Sequence, residues 1–511
     1  MTASASVAQR AVRDTASQYG SQLLVGASAV LFAAWLNRLL PARELAVWPV
    51  CISLGGLISA VASMGMGDSF SRIIPAMQAR GEHGEAARML KTGILLIIGT
   101  CALLSVVVYF ASGEVARYLL HDPKLVGLVR PMALAGFFIA VGERLGWVMQ
   151  ATQEFSKRAL ASGIAGIIRT PLALGLYLLM SGATGVVMAL TITPLLGCVL
   201  SLIWLWRHLR PGRGFAPAKA VLAQSLPFYP VSLTSLVCGR MNQLIIAALV
   251  APEVLATYFV ANSVAAYVAS LDRFAVEVTT PKLSEKGALA DGIHDTERIF
   301  TRCTRYVFLG LTPLHVLVAV AATPLLRLYG GPQYAHAGPV LAVLCLGLLL
   351  AVIEDLQRAH MVVFARPAHV VTLSGIRAAA NLALLAILAP RFGALGAALS
   401  DVGVGLTMMV AAGLLLSKTM RIRYDYSALA SASAAAALAG LTLWSLHPLW
   451  QARALPVLPA LAAAGVVYSL AVGRILRPDD RELLLHCLPG GLRRVLQRRA
   501  SLAAAGTGDE A

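Results

Sequence analysis

Long apolar segments separated by short polar stretches run through almost the whole chain. Each segment has ~18 residues or more, and at ~1.5 Å per residue such a helix crosses a ~30 Å hydrocarbon core. The pattern therefore predicts an all-α polytopic membrane protein with about fourteen transmembrane helices. The predicted spans are 19–40, 45–66, 91–112, 126–150, 157–181, 183–206, 226–249, 253–278, 303–327, 337–363, 367–389, 392–417, 427–446 and 455–472.

The composition supports a membrane protein, because only 13% of the 511 residues are charged and 58% are hydrophobic. Soluble domains carry about 25% charged residues. The net charge of +17 has a simpler explanation than nucleic-acid binding, since membrane proteins retain Lys and Arg on their cytoplasmic side. The seven cysteines form no CxxC motif or Cys/His cluster. We therefore expect neither a metal site nor a cofactor.

Basic residues are concentrated in alternate loops and in the Pro- and Gly-rich stretch 207–219. By the positive-inside rule, that stretch and both termini face the cytoplasm. The predicted organisation is an N-terminal six-helix lobe (1–206), a cytoplasmic linker (207–222), a C-terminal six-helix lobe (223–417), two additional transmembrane helices (418–472) and a basic cytoplasmic tail (473–511).

The two predicted lobes show an internal repeat. Four short matches occur in the same order at offsets of 210 to 212 positions: 45–48 with 255–258, 143–144 with 354–355, 162–164 with 374–376, and 182–185 with 393–396. Parallel repeats of this kind predict two six-helix bundles around a central cavity, which is a transporter architecture. The alternative is a gene duplication without functional meaning.

Three stretches of the second lobe carry a family resemblance: Ser225–Pro227, Leu328–Ala335 and Phe392–Ala398. With the six-plus-six plan, they resemble the multidrug/oligosaccharidyl-lipid/polysaccharide (MOP) exporter superfamily, and within it the bacterial polysaccharide-unit or O-antigen flippases. The resemblance implies a multi-pass protein of the bacterial inner membrane. Family members often carry an acidic or lysine pair in the seventh helix, whereas this chain has Arg240-Met241-Asn242-Gln243 there.

Three arginines lie near the middle of predicted spans: Arg169, Arg240 and Arg377, the last with Asn381 one turn further on. Charges at this depth are costly and usually face a cavity or a partner. Because arginine binds phosphate groups through paired hydrogen bonds, these four residues are the candidate substrate-binding groups for a lipid pyrophosphate. The alternative is that each arginine neutralises a nearby carboxylate, and Asp401 is a candidate partner for Arg377.

Carboxylates inside the membrane are candidates for coupling or gating. Those near the predicted cytoplasmic ends of spans are Glu143, Asp272, Glu354 and Asp355, and Asp401 lies deeper. Three roles are open for such carboxylates. They bind protons during transport, they form salt bridges that close the cytoplasmic side of the cavity, or they lie at the membrane surface without a role in transport. A coupling ion, H⁺ or Na⁺, is therefore compatible with the sequence. His315 is expected to be an interior histidine with satisfied hydrogen bonds.

These features favour a flippase that moves an undecaprenyl-pyrophosphate-linked oligosaccharide, such as an O-antigen, lipopolysaccharide, capsule or exopolysaccharide unit, by alternating access. The expected partners are the lipid-linked oligosaccharide, the bilayer, and a polysaccharide polymerase with its chain-length regulator. The alternatives are a cation-coupled multidrug exporter of the same superfamily and a membrane-embedded polymerase. The chain has no P-loop, metal-ligand spacing or nucleophile motif, so we do not expect an enzyme.

Overall fold

The computed structural model describes residues 26, 28–180, 183–229, 241–287, 292–364, 367–417, 426–446, 448 and 457–475, and these are helical almost throughout. Eight of the described helices are long and apolar enough to cross a membrane, and a bent pair counts as a ninth if it forms one span. Two shorter apolar helices, Leu429–Ser445 and Pro459–Val472, follow near the C-terminus. An all-helical membrane protein is confirmed, whereas the count of fourteen stays a prediction.

Among the described residues, the first half of the chain contains seven long helices, six of which correspond to predicted spans. They are α1 (28–39), α2 (Ala42–Ala62), α3 (Met66–Ala79), α4 (His83–Phe110), α5 (Val126–Ala151), α6 (Phe155–Leu179) and α7 (Ala183–Leu209). The predicted span 45–66 ends early, because Met64 and Gly65 have positive φ angles of 43° and 76° and break the helix. The extra helix α3 follows that break, where the sequence predicted a basic loop.

Nine further helices lie among the described residues of the second half. They are α8 (Ala218–Ser225), α9 (Met241–Leu249), α10 (Pro252–Gly287), α11 (Gly292–Val320), α12 (Ala322–Gly330), α13 (Gly338–Phe364), α14 (Pro367–Leu416), α15 (Tyr426–Ser445) and α16 (Val457–Ile475). The predicted span 303–327 is interrupted, because its segments Thr304–Val320 and Ala322–Gly330 meet at 72°. Arg240 and the tail beyond Ile475 lie outside the described residues.

Helix α14 is divided by a sharp bend at Gly393. Its 50 residues would reach ~75 Å if straight, more than twice the hydrocarbon thickness. Gly393 has φ 58° and ψ −132°, a backbone conformation that is essentially restricted to glycine. The two arms on either side of the bend correspond to the predicted spans 367–389 and 392–417.

The bend has a counterpart in the first half of the chain. A Cβ atom added to Gly396 would lie 2.0 Å from the carbonyl oxygen of Leu388, and one added to Gly185 would lie 2.2 Å from that of Leu176. Both glycines therefore allow the first turn after a bend or loop to pack against the last turns of the preceding helical segment. Gly185 and Gly396 are 211 positions apart, as in the sequence repeat. Two separate six-helix bundles nevertheless stay a prediction.

One end of the molecule is closed by contacts between the two halves. The largest apolar cluster there contains side chains from both halves, among them Phe32, Leu45, Leu255 and Tyr334. Arg43 Nε and Glu253 Oε1 form an ion pair at 2.5 Å, and Gln333 Nε2 donates a hydrogen bond to the carbonyl oxygen of Asn37 at 2.7 Å. Of the other apolar clusters of described residues, two draw on the second half alone, and one consists of first-half side chains together with Val221 of α8. The halves are thus joined mainly at this end.

Candidate substrate and coupling sites

Arg169 lies where the two halves of the chain meet. Helix α6 carries it, and its guanidinium carbon lies 4.8 Å from the centre of the Phe32 ring on α1. Tyr267 on α10, in the other half, is close enough to interact with it electrostatically. The buried Nε atom has no hydrogen-bond partner in the described part of the chain. A cation held against an aromatic ring, with an unused donor, is able to bind an anion.

Tyr267 links Arg169 to further polar groups from both halves. Tyr267 and Tyr329 pack edge to face with ring centroids 6.4 Å apart, and the hydroxyl of Tyr329 lies against Ser263 and Asn37. Asn37 is 1% exposed, and its side-chain amide lies beside that hydroxyl. We call Asn37, Arg169, Tyr267 and Tyr329 the interface cluster, and the Nε atom of Arg169 is a donor there without a partner among the described residues.

A cavity of about 330 Å³ lies within the second half of the chain, and Arg377, Asn381 and Asp401 are among its lining residues. Tyr258 donates its hydroxyl hydrogen to Asp401 Oδ2 at 2.9 Å, and Asn242 Nδ2 lies 3.4 Å from Asp401 Oδ1. Three of the predicted residues are therefore brought together here. We call this space the C-terminal cavity.

Arg377 forms its ion pair with Glu354. Its Nη2 donates to Glu354 Oε2, and Glu354 is 2% exposed. Asp401 is held by Tyr258 and Asn242 and also interacts electrostatically with Arg377. The ion pair with Glu354 supports the alternative that Arg377 neutralises a carboxylate, and a substrate-binding role for Arg377 stays a prediction.

The other predicted carboxylates lie apart from the C-terminal cavity lining. Asp272 and His315 form a buried pair, with Nε2 3.2 Å from Oδ2. The Nδ1 atom of His315 lies 2.8 Å from the carbonyl oxygen of Leu311, so both of its ring nitrogens have partners, as expected. Asp355 pairs with Arg358 on the same helix. Glu143 lines a different cavity, in the first half of the chain.

Sequence reasoning missed Tyr258 and Asn242, which hold Asp401, and Tyr267, which faces Arg169. The internal repeat contained a signal for Tyr258, because it aligns with Trp48 and adds a hydroxyl group at a position that is otherwise apolar. Asn242 belongs to the 240–243 stretch that departs from the family pattern. No pattern in the sequence indicated Tyr267, since its role depends on contact between helices from different halves.

The geometry agrees with comparisons to known proteins. A family model described as "Polysaccharide biosynthesis protein" matches residues 36–339. The chain belongs to this family. Its fold is similar to that of the lipid II flippase MurJ in an inward closed conformation, with a TM-score of 0.67, 14% identity, and coverage of 93% of this chain and 100% of that one.

Two further solved structures have similar folds. One is an inward-facing multidrug resistance MATE transporter of the MOP superfamily, with a TM-score of 0.58, 15% identity, and coverage of 76% of this chain and 93% of that one. The other is a MOP superfamily transporter from Pyrococcus furiosus, with a TM-score of 0.55, 16% identity, and coverage of 79% and 92%. No curated protein matches the sequence.

Together these findings confirm the resemblance to the MOP superfamily that the sequence indicated. The chain is a multi-pass membrane protein, and its fold is that of the MurJ and MATE transporters.

Proposed function

We propose that the protein is a flippase that moves an undecaprenyl-pyrophosphate-linked oligosaccharide across the bacterial inner membrane. The oligosaccharide is a repeat unit of O-antigen, capsule or exopolysaccharide. The observation that carries the proposal is the interface cluster. Arg169 places an unpaired Nε donor between the two halves of a polysaccharide-family protein, and a pyrophosphate offers the charged oxygen atoms that a guanidinium binds in pairs.

The closed end of the molecule supports alternating access. With both termini in the cytoplasm, the end that carries Arg43 and Glu253 faces the periplasm, because α2 and α10 both begin there. In this state the pyrophosphate binds from the cytoplasmic side, below the contacts that join the halves. Its prenyl chain stays in the lipid while the head group crosses.

The C-terminal cavity is the proposed coupling site. Asp401 supplies a carboxylate, Tyr258 and Asn242 hold it, and Asn242 Oδ1 has no hydrogen-bond partner within the described residues. These oxygen ligands suit a proton or a hard cation such as Na⁺. The Asp401 carboxylate lies between α9, α10 and α14. A cation that binds to it changes how these helices pack, and helices α9 and α10 also contact the first half of the chain.

Deletion of the gene tests the proposal, with complementation by wild type, Arg169→Ala, Arg169→Lys and the exposed control Arg117→Ala. We expect wild type and Arg117→Ala to restore surface polysaccharide, Arg169→Ala to restore none, and Arg169→Lys to restore part of it, because lysine keeps the charge but loses the planar fork. Protein level in the membrane is measured in parallel. Full restoration by Arg169→Ala would refute the assignment.

A cation-coupled multidrug exporter is the second candidate. The carboxylate of the C-terminal cavity and the similarity to MATE transporters favour it. The same deletion strain separates the two functions. Increased drug sensitivity with normal polysaccharide supports the exporter, whereas lost polysaccharide with unchanged drug sensitivity supports the flippase. Accumulation of lipid-linked repeat units on the cytoplasmic leaflet further excludes a polymerase, which acts after translocation.

A further inference from the structure

A second cavity, also of about 330 Å³, lies within the first half of the chain between α5, α6 and α7. We call it the N-terminal cavity. Its apolar wall combines the larger side chains of Phe138 and Ile139 with small residues such as Gly142, Ala165 and Gly197. A Cβ added at Gly146 would lie 3.3 Å from Arg158 Nε. The small side chains therefore create the space, and larger ones would fill it.

The polar lining of this cavity contains both signs of charge. Glu143 and Arg158 come from different helices, and Ser162 and Ser201 add hydroxyl groups. The side chain of Glu143 is 32% exposed, and its Oε1 lies 3.9 Å from Arg144 Nη2. Arg158 Nη1 donates to Gln150 Oε1 at 2.6 Å, which fixes the orientation of the guanidinium. A carboxylate in the wall disfavours a pyrophosphate here. The cavity wall contains both hydrogen-bond donors and hydrogen-bond acceptors. Such a wall suits a sugar, because each sugar hydroxyl group can donate and accept a hydrogen bond.

One face of α6 connects this cavity to the interface cluster. Arg158, Ser162, Ala165 and Arg169 follow each other at spacings of four, three and four residues, which places them on the same side of a helix. The first three line the cavity, and Arg169 lies in the interface cluster. From Arg158 to Arg169 the helix rises ~16 Å. A lipid-linked oligosaccharide is long enough to bring different chemical groups to these two places.

We propose that the N-terminal cavity binds the carbohydrate part of the substrate while Arg169 binds its pyrophosphate. This subsite rests on the proposed flippase function. It gives the protein a means to distinguish a lipid that carries its oligosaccharide from the lipid carrier alone, because the sugar contacts are made by residues that the pyrophosphate does not reach. The cavity then selects the loaded lipid on the cytoplasmic side.

Binding to two lipids tests the subsite. The full-length protein in nanodiscs is titrated with undecaprenyl pyrophosphate and with the undecaprenyl-pyrophosphate-linked oligosaccharide purified from the producing strain. Ala165→Leu fills the cavity, and Glu143→Gln keeps the shape of the side chain while removing its charge. The matched control is Ala379→Leu, which adds the same bulk at an exposed position of α14. Only preparations that elute as a single folded species are compared.

We expect Glu143→Gln to weaken binding of the oligosaccharide-linked lipid by about tenfold, the loss of roughly one charge-assisted hydrogen bond. Ala165→Leu should weaken it by at least as much, because the leucine side chain occupies the space of the sugar. Neither variant should change the binding of undecaprenyl pyrophosphate, and Ala379→Leu should bind both lipids like the wild type. Arg169→Ala should bind both lipids more weakly. Equal loss for both lipids would overturn the carbohydrate subsite and indicate a prenyl-chain site, and unchanged binding would overturn it as well. If the wild-type protein binds neither lipid, the proposed function itself falls.

Discussion

The ion pair between Glu354 and Arg377 makes an asymmetric prediction about stability. The Glu354 side chain is 3% exposed, and that of Arg377 is 28% exposed. Arg377→Met therefore leaves a deeply buried carboxylate without its guanidinium, which should cost about 3–5 kcal/mol of unfolding free energy. Glu354→Leu leaves a cation that lines the C-terminal cavity and keeps some hydration, so we expect a smaller loss of about 1–3 kcal/mol. Removing both charges should cost less than Arg377→Met alone.

Thermal unfolding of the purified protein in detergent, followed by size-exclusion chromatography of a fluorescent fusion, measures this order. The matched control is Arg358→Met, whose partner is Asp355 and whose side chain is 55% exposed. Exposed pairs contribute about 0–1 kcal/mol, so this variant should unfold near the wild-type temperature. If Arg377→Met is as stable as Arg358→Met, or if the double variant Glu354→Leu/Arg377→Met is less stable than both single variants, the pairing is refuted.

Three further predictions concern other parts of the fold. Gly396→Ala should lower the amount of folded protein, because its Cβ would collide with the Leu388 carbonyl oxygen, whereas Gly375→Ala, with nothing within 4 Å, should not; a membrane immunoblot compares them. In proteoliposomes, Tyr258→Phe should weaken the dependence of transport on an H⁺ or Na⁺ gradient, and Asp401→Asn should abolish it. Unchanged dependence in both variants would exclude the C-terminal cavity as the coupling site. Arg43→Glu should increase periplasmic labelling of a cysteine placed at Asn37 by at most about fivefold, since the exposed pair contributes up to ~1 kcal/mol, and Arg43→Glu/Glu253→Arg should reverse the change.

Hydrophobic segment length predicted most of the helices, because a helix in lipid must satisfy its own backbone hydrogen bonds. The spans 126–150 and 183–206 correspond to α5 and α7 within a few residues. The break after Ala62 was missed, since it depends on the backbone conformation of Met64 and Gly65 rather than on hydrophobicity. The bend within 303–327 was also missed. Both of its arms are apolar, so hydrophobicity gives no sign of the bend.

The candidate sites could be predicted only in part. Depth along a helix singled out Arg377 and Arg169; the structure pairs Arg377 with Glu354 and places Arg169 at the interface between the halves, and their substrate-binding roles stay predictions. The partner of Arg377 was not predictable, since Glu354 and Asp401 both lie on neighbouring helical segments and only packing decides between them. The interface cluster combines residues nearly 300 positions apart, such as Asn37 and Tyr329, and no local pattern brings these together.

The most direct test of the central claim is translocation by the purified protein. Proteoliposomes that contain undecaprenyl-pyrophosphate-linked oligosaccharide are treated with a glycosidase that cannot cross the membrane, and the rate at which protected lipid becomes cleavable is measured. We predict that wild-type protein increases this rate well above that of protein-free liposomes, and that Arg169→Ala reduces the increase by about tenfold or more, as expected for losing one or more charge-assisted hydrogen bonds. A wild-type rate equal to that of protein-free liposomes, with or without an ion gradient, would contradict the account.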